Sequence, residues 1–174
     1  MSEAPTSQTP PGETALAPVR SSIVVDAPIA EAFRIFTDDI ASWWPPEHHI
    51  LDGTLKEMVF ERRVGGHVYD RALDGSECHW GRVLAYDPPE RVAFSWDISL
   101  QWQLETDPAK TSEVEVAFFA EGPERTRVEL EHRHIERHGD GWEQMRAAVD
   151  SPNGWTEGLQ SFARRVQSGT GERR

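Results

Sequence analysis

The chain has 174 residues and a formal net charge of −12. That charge and the absence of any Lys/Arg-rich run exclude the basic surface a nucleic-acid partner requires, and they oppose docking on anionic membranes. No stretch approaches the roughly 18 to 20 apolar residues of a membrane span, and the single Cys78 excludes an internal disulfide and suits a reducing cytoplasm.

In chain order, MSEAPTSQTPPGETALAP has neither the basic start nor the apolar segment of a secretory signal, and its Pro/Ser/Thr content predicts a disordered tail over 1–19. A single domain is expected over 20–168, with a second disordered tail over 169–174. The β-branched run 21–25 predicts a first strand. Asp26-Ala27-Pro28 then predicts an Asp N-cap with Pro just inside a helix. Ile29, Ala32, Phe33 and Phe36 recur at helical spacing through about Asp39, and 40–44 adds a short helical turn stopped by Pro45-Pro46.

Strands are expected over 55–63, 67–73, 78–86 and 91–97. They are separated by Gly65-Gly66, Asp74-Gly75 and Asp87-Pro88-Pro89, each a turn former with its own mechanism. The polar segment 99–111 reads as an arm or loop around Trp102. Alternation returns over 113–118 and 126–134, with charged partners turned outward as in a sheet solvated on one face. The last third changes to a 3.6 period. Trp142, Met145, Ala148 and Val149 predict one helix, Ser151-Pro152 breaks it, and Trp155, Leu159, Phe162, Ala163 and Val166 predict a second through about Gln167.

This order gives an α+β plan. SIVVDAPIAEAFRIFTD, ERRVGGHVYD, WGRVLAYDPPERVAFSW, TRVELEH and GWTEGLQSF resemble, in that order, the motifs of the activator-of-Hsp-90-ATPase-like branch of the START-related (SRPBCC) superfamily. The resemblance implies a helix-grip fold. In it, about six to seven antiparallel strands form a curved sheet around a long C-terminal helix, and two short helices follow the first strand. Two departures from the pattern, the longer segment around Trp102 and an added helix before Pro152, are expected to reshape a cavity entrance.

The same resemblance implies a ligand between the concave sheet face and the closing helix. Strand parity selects Phe60, Tyr69, Trp80, Phe94, Trp96, Phe118, Leu130 and His132 as its lining, with Trp155, Leu159 and Phe162 from the helix. Phe33, Phe36, Trp43 and Trp44 are expected at the entrance. His132 and His134, two apart on a strand, share a face, but no third ligand makes them a metal site; neither metal nor cofactor is expected. His48-His49 reads as solvent-exposed, Cys78 as a buried structural thiol, and Glu61, Arg62 and Arg63 as ion-pairing residues of the outer face.

Tyr69, His79, His132 and Glu61 are the residues that could act as general acid or base, yet no catalytic constellation is legible. The function expected is the binding of a hydrophobic or aromatic small molecule by a cytoplasmic monomer or homodimer. The alternatives are a cyclase- or hydrolase-like enzyme acting on a polyketide-like ligand in the same cavity, and a protein that regulates a chaperone.

Overall fold

The computed structural model describes residues 17–45 and 47–172, without the side chains of 169–172. The tail expected over 1–19 therefore falls, as far as residue 16, outside the described residues. The first element is β1 (Val19–Val25). It is followed by α1 (Ile29–Thr37) and a 3-10 turn (Ile40–Ser42). The Asp26 cap does not form. Pro28 occupies the N-cap, and its carbonyl accepts from the amides of Glu31 and Ala32 at 3.0 and 2.9 Å. The chain before the helix is committed elsewhere, because Thr126 Oγ1 donates to the Ala27 carbonyl at 2.9 Å.

Six more strands complete the sheet: β2 (Leu55–Phe60), β3 (His67–Ala72), β4 (Glu77–Asp87), β5 (Arg91–Trp96), β6 (Ser112–Gly122) and β7 (Arg125–Arg133). They form one antiparallel sheet in the order β1-β7-β6-β5-β4-β3-β2. Each turn in the meander uses the residue expected there; Gly65, for example, takes φ +87°, a conformation closed to most side chains. Bulges interrupt the register between β2 and β3, β3 and β4, β4 and β5, and β6 and β7. Each adds local twist, and together they curl the sheet into a half-barrel.

The C-terminal elements are α2 (Trp142–Asp150), a kink over Pro152–Thr156, and α3 (Glu157–Glu172). α3 continues over 169–171, where the sequence reading ends order. The fold is the expected helix-grip plan. Trp155, Leu159, Phe162 and Val166 present one buried stripe to the concave face, spaced as a helix requires. Phe162 fills the far end, with its ring 5.4 Å from those of Phe36 and Trp43, and Phe36 in turn meets Phe118. Removing a buried ring such as Phe162 costs about 3–5 kcal/mol.

The convex face is charged. Arg91 and Arg133 pair with Glu115, Arg137 joins Glu113 at 3.2 Å, and Arg127 joins Glu121 at 2.6 Å. Glu61, Arg62 and Arg63 also lie on the outside, with partners between the ends of β2 and β3 and just past α1. Glu61 accepts from the His67 amide at 2.7 Å, and Arg62 reaches Asp38 at 3.2 Å.

Candidate ligand cavity

One end of the half-barrel is not filled. A cavity of about 440 Å³ opens there, a size suited to a small organic ligand. Trp96 and Ile98 come from the end of β5, and Trp44, His48, His49 and Ile50 from the segment after the 3-10 turn. The opposite wall is the end of α2 and the kink, with Val149, Gly154 and Trp155. Trp102 lines the mouth from the tip of a small hairpin closed by the Ile98–Leu104 bridge.

Local chemistry builds this wall. Pro152 cannot extend α2 with a backbone N–H, so the chain breaks at the kink, where Gly154 adopts φ −92° and ψ −126°. A Cβ on Gly154 would lie 2.2 Å from the Val149 carbonyl oxygen, so only glycine permits this approach. The kink delivers Trp155 into the cavity wall at the foot of α3. The hairpin is shaped by Ser99, whose Oγ accepts from the amides of Gln101 and Gln103 at 3.2 Å and whose carbonyl accepts from Trp102 at 2.9 Å. Trp102 sits at φ +59° and is 47% exposed. Arg82 clips the two ends of the segment together. Its guanidinium donates to both oxygens of Asp97 at 3.0 and 3.1 Å and to Oγ1 of Thr111 at 3.0 Å.

Five tryptophans, at 43, 44, 80, 96 and 155, form a continuous cluster around the cavity, with ring centroids 5.2 to 5.8 Å apart in successive pairs. Four of their indole N–H groups have acceptors: the carbonyls of Ile35 and His48, the carboxylate of Asp70, and the ring of His132. Trp96 Nε1 is the exception, buried without an acceptor among the described residues.

Two polar assemblies lie against this aromatic wall. In the first, the wholly buried Asp70 on β3 receives His49 Nδ1 at 2.8 Å on Oδ2 and Trp80 Nε1 at 3.4 Å on Oδ1. Only 11% of the His49 side chain is exposed, so it is neither free nor fully solvated. Beside Asp70, burial first and the Asp70 charge second push the Cys78 thiol up to about 11.

In the second assembly, Trp155 Nε1 donates to His132 Nδ1 at 3.1 Å, and His132 Nε2 and His138 Nε2 each lie 2.8 Å from Ser112 Oγ. The indole can only donate, which makes Nδ1 the acceptor and gives the His132 proton to Nε2. Ser112 then passes its own proton toward His138. Burial, assisted by His138, holds His132 down to about 3, so this chain is neutral. Among the described residues no group of three or more His, Cys, Asp or Glu is placed to hold a metal ion, and no helix is long and apolar enough to cross a membrane.

A profile of the family described as Activator of Hsp90 ATPase homolog 1-like protein matches residues 26–167. The chain belongs to this family. No curated protein matches it. Among solved structures, the anthrahydroquino-gamma-pyrone synthase Txn09, complexed with SUM, is similar at 42% identity and a TM-score of 0.61, over 86% of this chain and 96% of that one. CalC, a self-sacrificing resistance protein from Micromonospora echinospora, is 28% identical with a TM-score of 0.65, over 89% and 97% of the two chains. Protein NE0264 from Nitrosomonas europaea shares the fold at 13% identity and a TM-score of 0.64, over 90% and 98%.

In this member of the Hsp90-activator-like family, the residues selected by parity separate into groups. Trp96 and Trp155 line the cavity, and so does Trp44, expected at the entrance. Phe60, Trp80 and Phe94 form a packed layer behind that wall, the Phe94 ring centre lying 6.0 Å from each of the other two. Phe33, Phe36, Trp43, Phe118, Leu130, Leu159 and Phe162 are buried and belong to the core. His132 stands behind Trp96 and Trp155.

Tyr69 lies on the convex face, stacked on His79 at 4.4 Å and bonded to Arg71. The β3–β4 bulge breaks the simple alternation that put Tyr69 and Trp80 on one side. His134 does not share a face with His132. It turns to φ +64° just past β7, with 42% of its side chain exposed. The sequence reading missed the pairing of His49 with Asp70 and the Ser112–His138 link, since neither has a spacing signal.

Proposed function

We propose that this chain binds a flat, oxygenated aromatic molecule of the polyketide type in the tryptophan-walled cavity. The observation that carries the reading is the composition of that wall. Trp44, Trp96, Trp102 and Trp155 surround about 440 Å³ open to solvent, and extended aromatic ligands gain from offset and edge contacts with such rings. The likeness to Txn09, whose description names an anthrahydroquino-gamma-pyrone, supports the same ligand class.

The test is titration of the chain with a hydroxyanthraquinone and, separately, with a medium-chain fatty acid, followed by quenching or displacement at the tryptophans. Saturable binding of the quinone at one site, with little competition from the fatty acid, is expected. Equal binding of both, or none, overturns the reading.

A second reading is favoured by one observation, the 42% identity to a synthase over most of both chains: the ligand is a substrate that undergoes ring closure. Conversion of a 2-hydroxyaryl enone to its cyclic isomer, followed by absorbance above the uncatalysed rate, distinguishes an enzyme from a binder. Chaperone regulation is carried by the family's name alone, and no feature of the cavity bears on it.

A further inference from the structure

The geometry points to His49 as the base that takes a phenolic proton from the bound ligand, with Asp70 as the residue that positions it. This rests on the reading of the cavity as an aromatic-ligand site.

His49 lines the cavity, and its Nδ1 is turned away toward Asp70 Oδ2 at 2.8 Å. A carboxylate can only accept, so it places the imidazole proton on Nδ1 and leaves Nε2 as a lone pair for the cavity. Asp70 is fixed in turn. It is wholly buried on β3, and its other oxygen accepts from Trp80 Nε1, whose ring packs against Trp44 and Trp96 of the wall. One carboxylate thus connects the orientation of the base to the aromatic surface that orients the ligand. Among the described residues His48 also lines the cavity, but no carboxylate orients its ring, and both ring nitrogens of His132 are already occupied by Trp155 and Ser112.

The step this arrangement supports is intramolecular addition of a phenol to a carbon conjugated with a ketone. The phenol O–H bond breaks and its proton passes to His49 Nε2. The oxygen's electron pair forms the new ring C–O bond, and the displaced π electrons move to the ketone oxygen as an enolate. The imidazolium then returns the proton to the enolate carbon. The product is an isomer of the substrate, so no oxidant, reductant or co-substrate is required. Desolvation in the tryptophan wall strengthens the attraction between the imidazolium and the developing negative charge.

The experiment uses 2-hydroxyanthraquinone, whose visible absorption moves to longer wavelength on ionisation, at a pH where the free dye is un-ionised. Tryptophan quenching reads binding, and the dye's own band reads proton transfer. The wild-type chain is expected to bind the dye with the phenolate band. His49→Gln is expected to bind the dye more weakly but still to quench the tryptophans at higher dye concentration, while the bound dye keeps its neutral band. Asp70→Asn should give the same neutral band, because an amide donating to Nδ1 moves the imidazole proton to Nε2.

Circular dichroism checks that each variant is folded; if Asp70→Asn is not, His49→Gln decides alone. A neutral band in the wild-type complex, or a phenolate band that survives His49→Gln, overturns the assignment of the base while leaving the cavity reading intact. Absence of quenching by the dye in the wild type overturns the cavity reading and this inference with it.

Discussion

Trp155 donates its indole N–H to Nδ1 of His132 at 3.1 Å, and that single bond fixes the direction of every hydrogen bond from the cavity wall through Ser112 to His138. The chain requires a neutral His132. Its ordinary value of 6.5 falls to about 3 through burial and the neighbouring His138. Below about pH 6.5 the unfolded chain binds a proton there that the folded chain refuses until about pH 3, so stability falls with pH across that window. The loss reaches on the order of a few kcal/mol at the acid end.

Glu115 acts in the same direction. Burial opposes its ionisation, but the Arg133 and Arg91 guanidiniums prevail and hold it low. Comparison with His132→Gln therefore isolates the histidine. Urea midpoints between pH 7 and 4 should fall less steeply in the variant, and parallel slopes would contradict the neutral chain.

Gly154→Ala is expected to be among the most damaging single-methyl changes in the protein. The new Cβ meets the backbone of Val149 and Ala148, which cannot rotate away. Overpacking of this kind costs about 1–3 kcal/mol, and relief requires the kink to open. Thermal unfolding should drop by several degrees, and the near-ultraviolet signal of the tryptophan cluster should change with it. An unchanged melting temperature would mean the kink has another conformation available.

Trp102 separates stability from binding. Its left-handed backbone costs about 1–2 kcal/mol in a non-glycine residue, while its half-exposed ring contributes little burial. Trp102→Gly is therefore expected to leave the melting temperature equal or slightly higher. It should weaken binding of a flat aromatic probe by roughly three- to tenfold, the value of one aromatic contact. Calorimetric titration beside a thermal scan measures both, and unchanged affinity would remove Trp102 from the ligand's surroundings.

Arg82→Ala should loosen the hairpin from its base. The change leaves Asp97, only 6% exposed, without its guanidinium partner and releases Thr111 at the other end. Because Arg82 is itself about a third exposed, the expected destabilisation is about 1–3 kcal/mol rather than that of a fully buried pair. Amide exchange over 98–107 should accelerate more than exchange in β3 or β6. Uniform acceleration would indicate a global rather than local effect.

The strands and helices were legible because their signals are local. Gly65-Gly66 and Asp74-Gly75 mark turns wherever they occur, and the helical spacing of Trp155, Leu159, Phe162 and Val166 needs no partner to be read. The cavity was legible only in part. Parity over a flat sheet predicts which residues face inward, but the bulge beside Tyr69 and Trp80 shifts that parity by one residue. Parity also says nothing about where core packing stops, so Phe94 and Trp96, two apart on β5, divide between core and cavity. The pairing of His49 with Asp70 spans twenty-one positions and depends on a loop folding back over β3, information that no spacing rule contains.

Trp43, Trp44, Trp80, Trp96 and Trp155 stand within 6 Å of their neighbours, ring centre to ring centre. At that separation electronic excitation hops between indoles far faster than any one of them emits. The cluster therefore behaves as an antenna, and a single absorbing guest at its open end drains light collected by all five. One equivalent of a coloured ligand should extinguish much more than one tryptophan's share of the emission, so the protein carries its own optical gauge of occupancy.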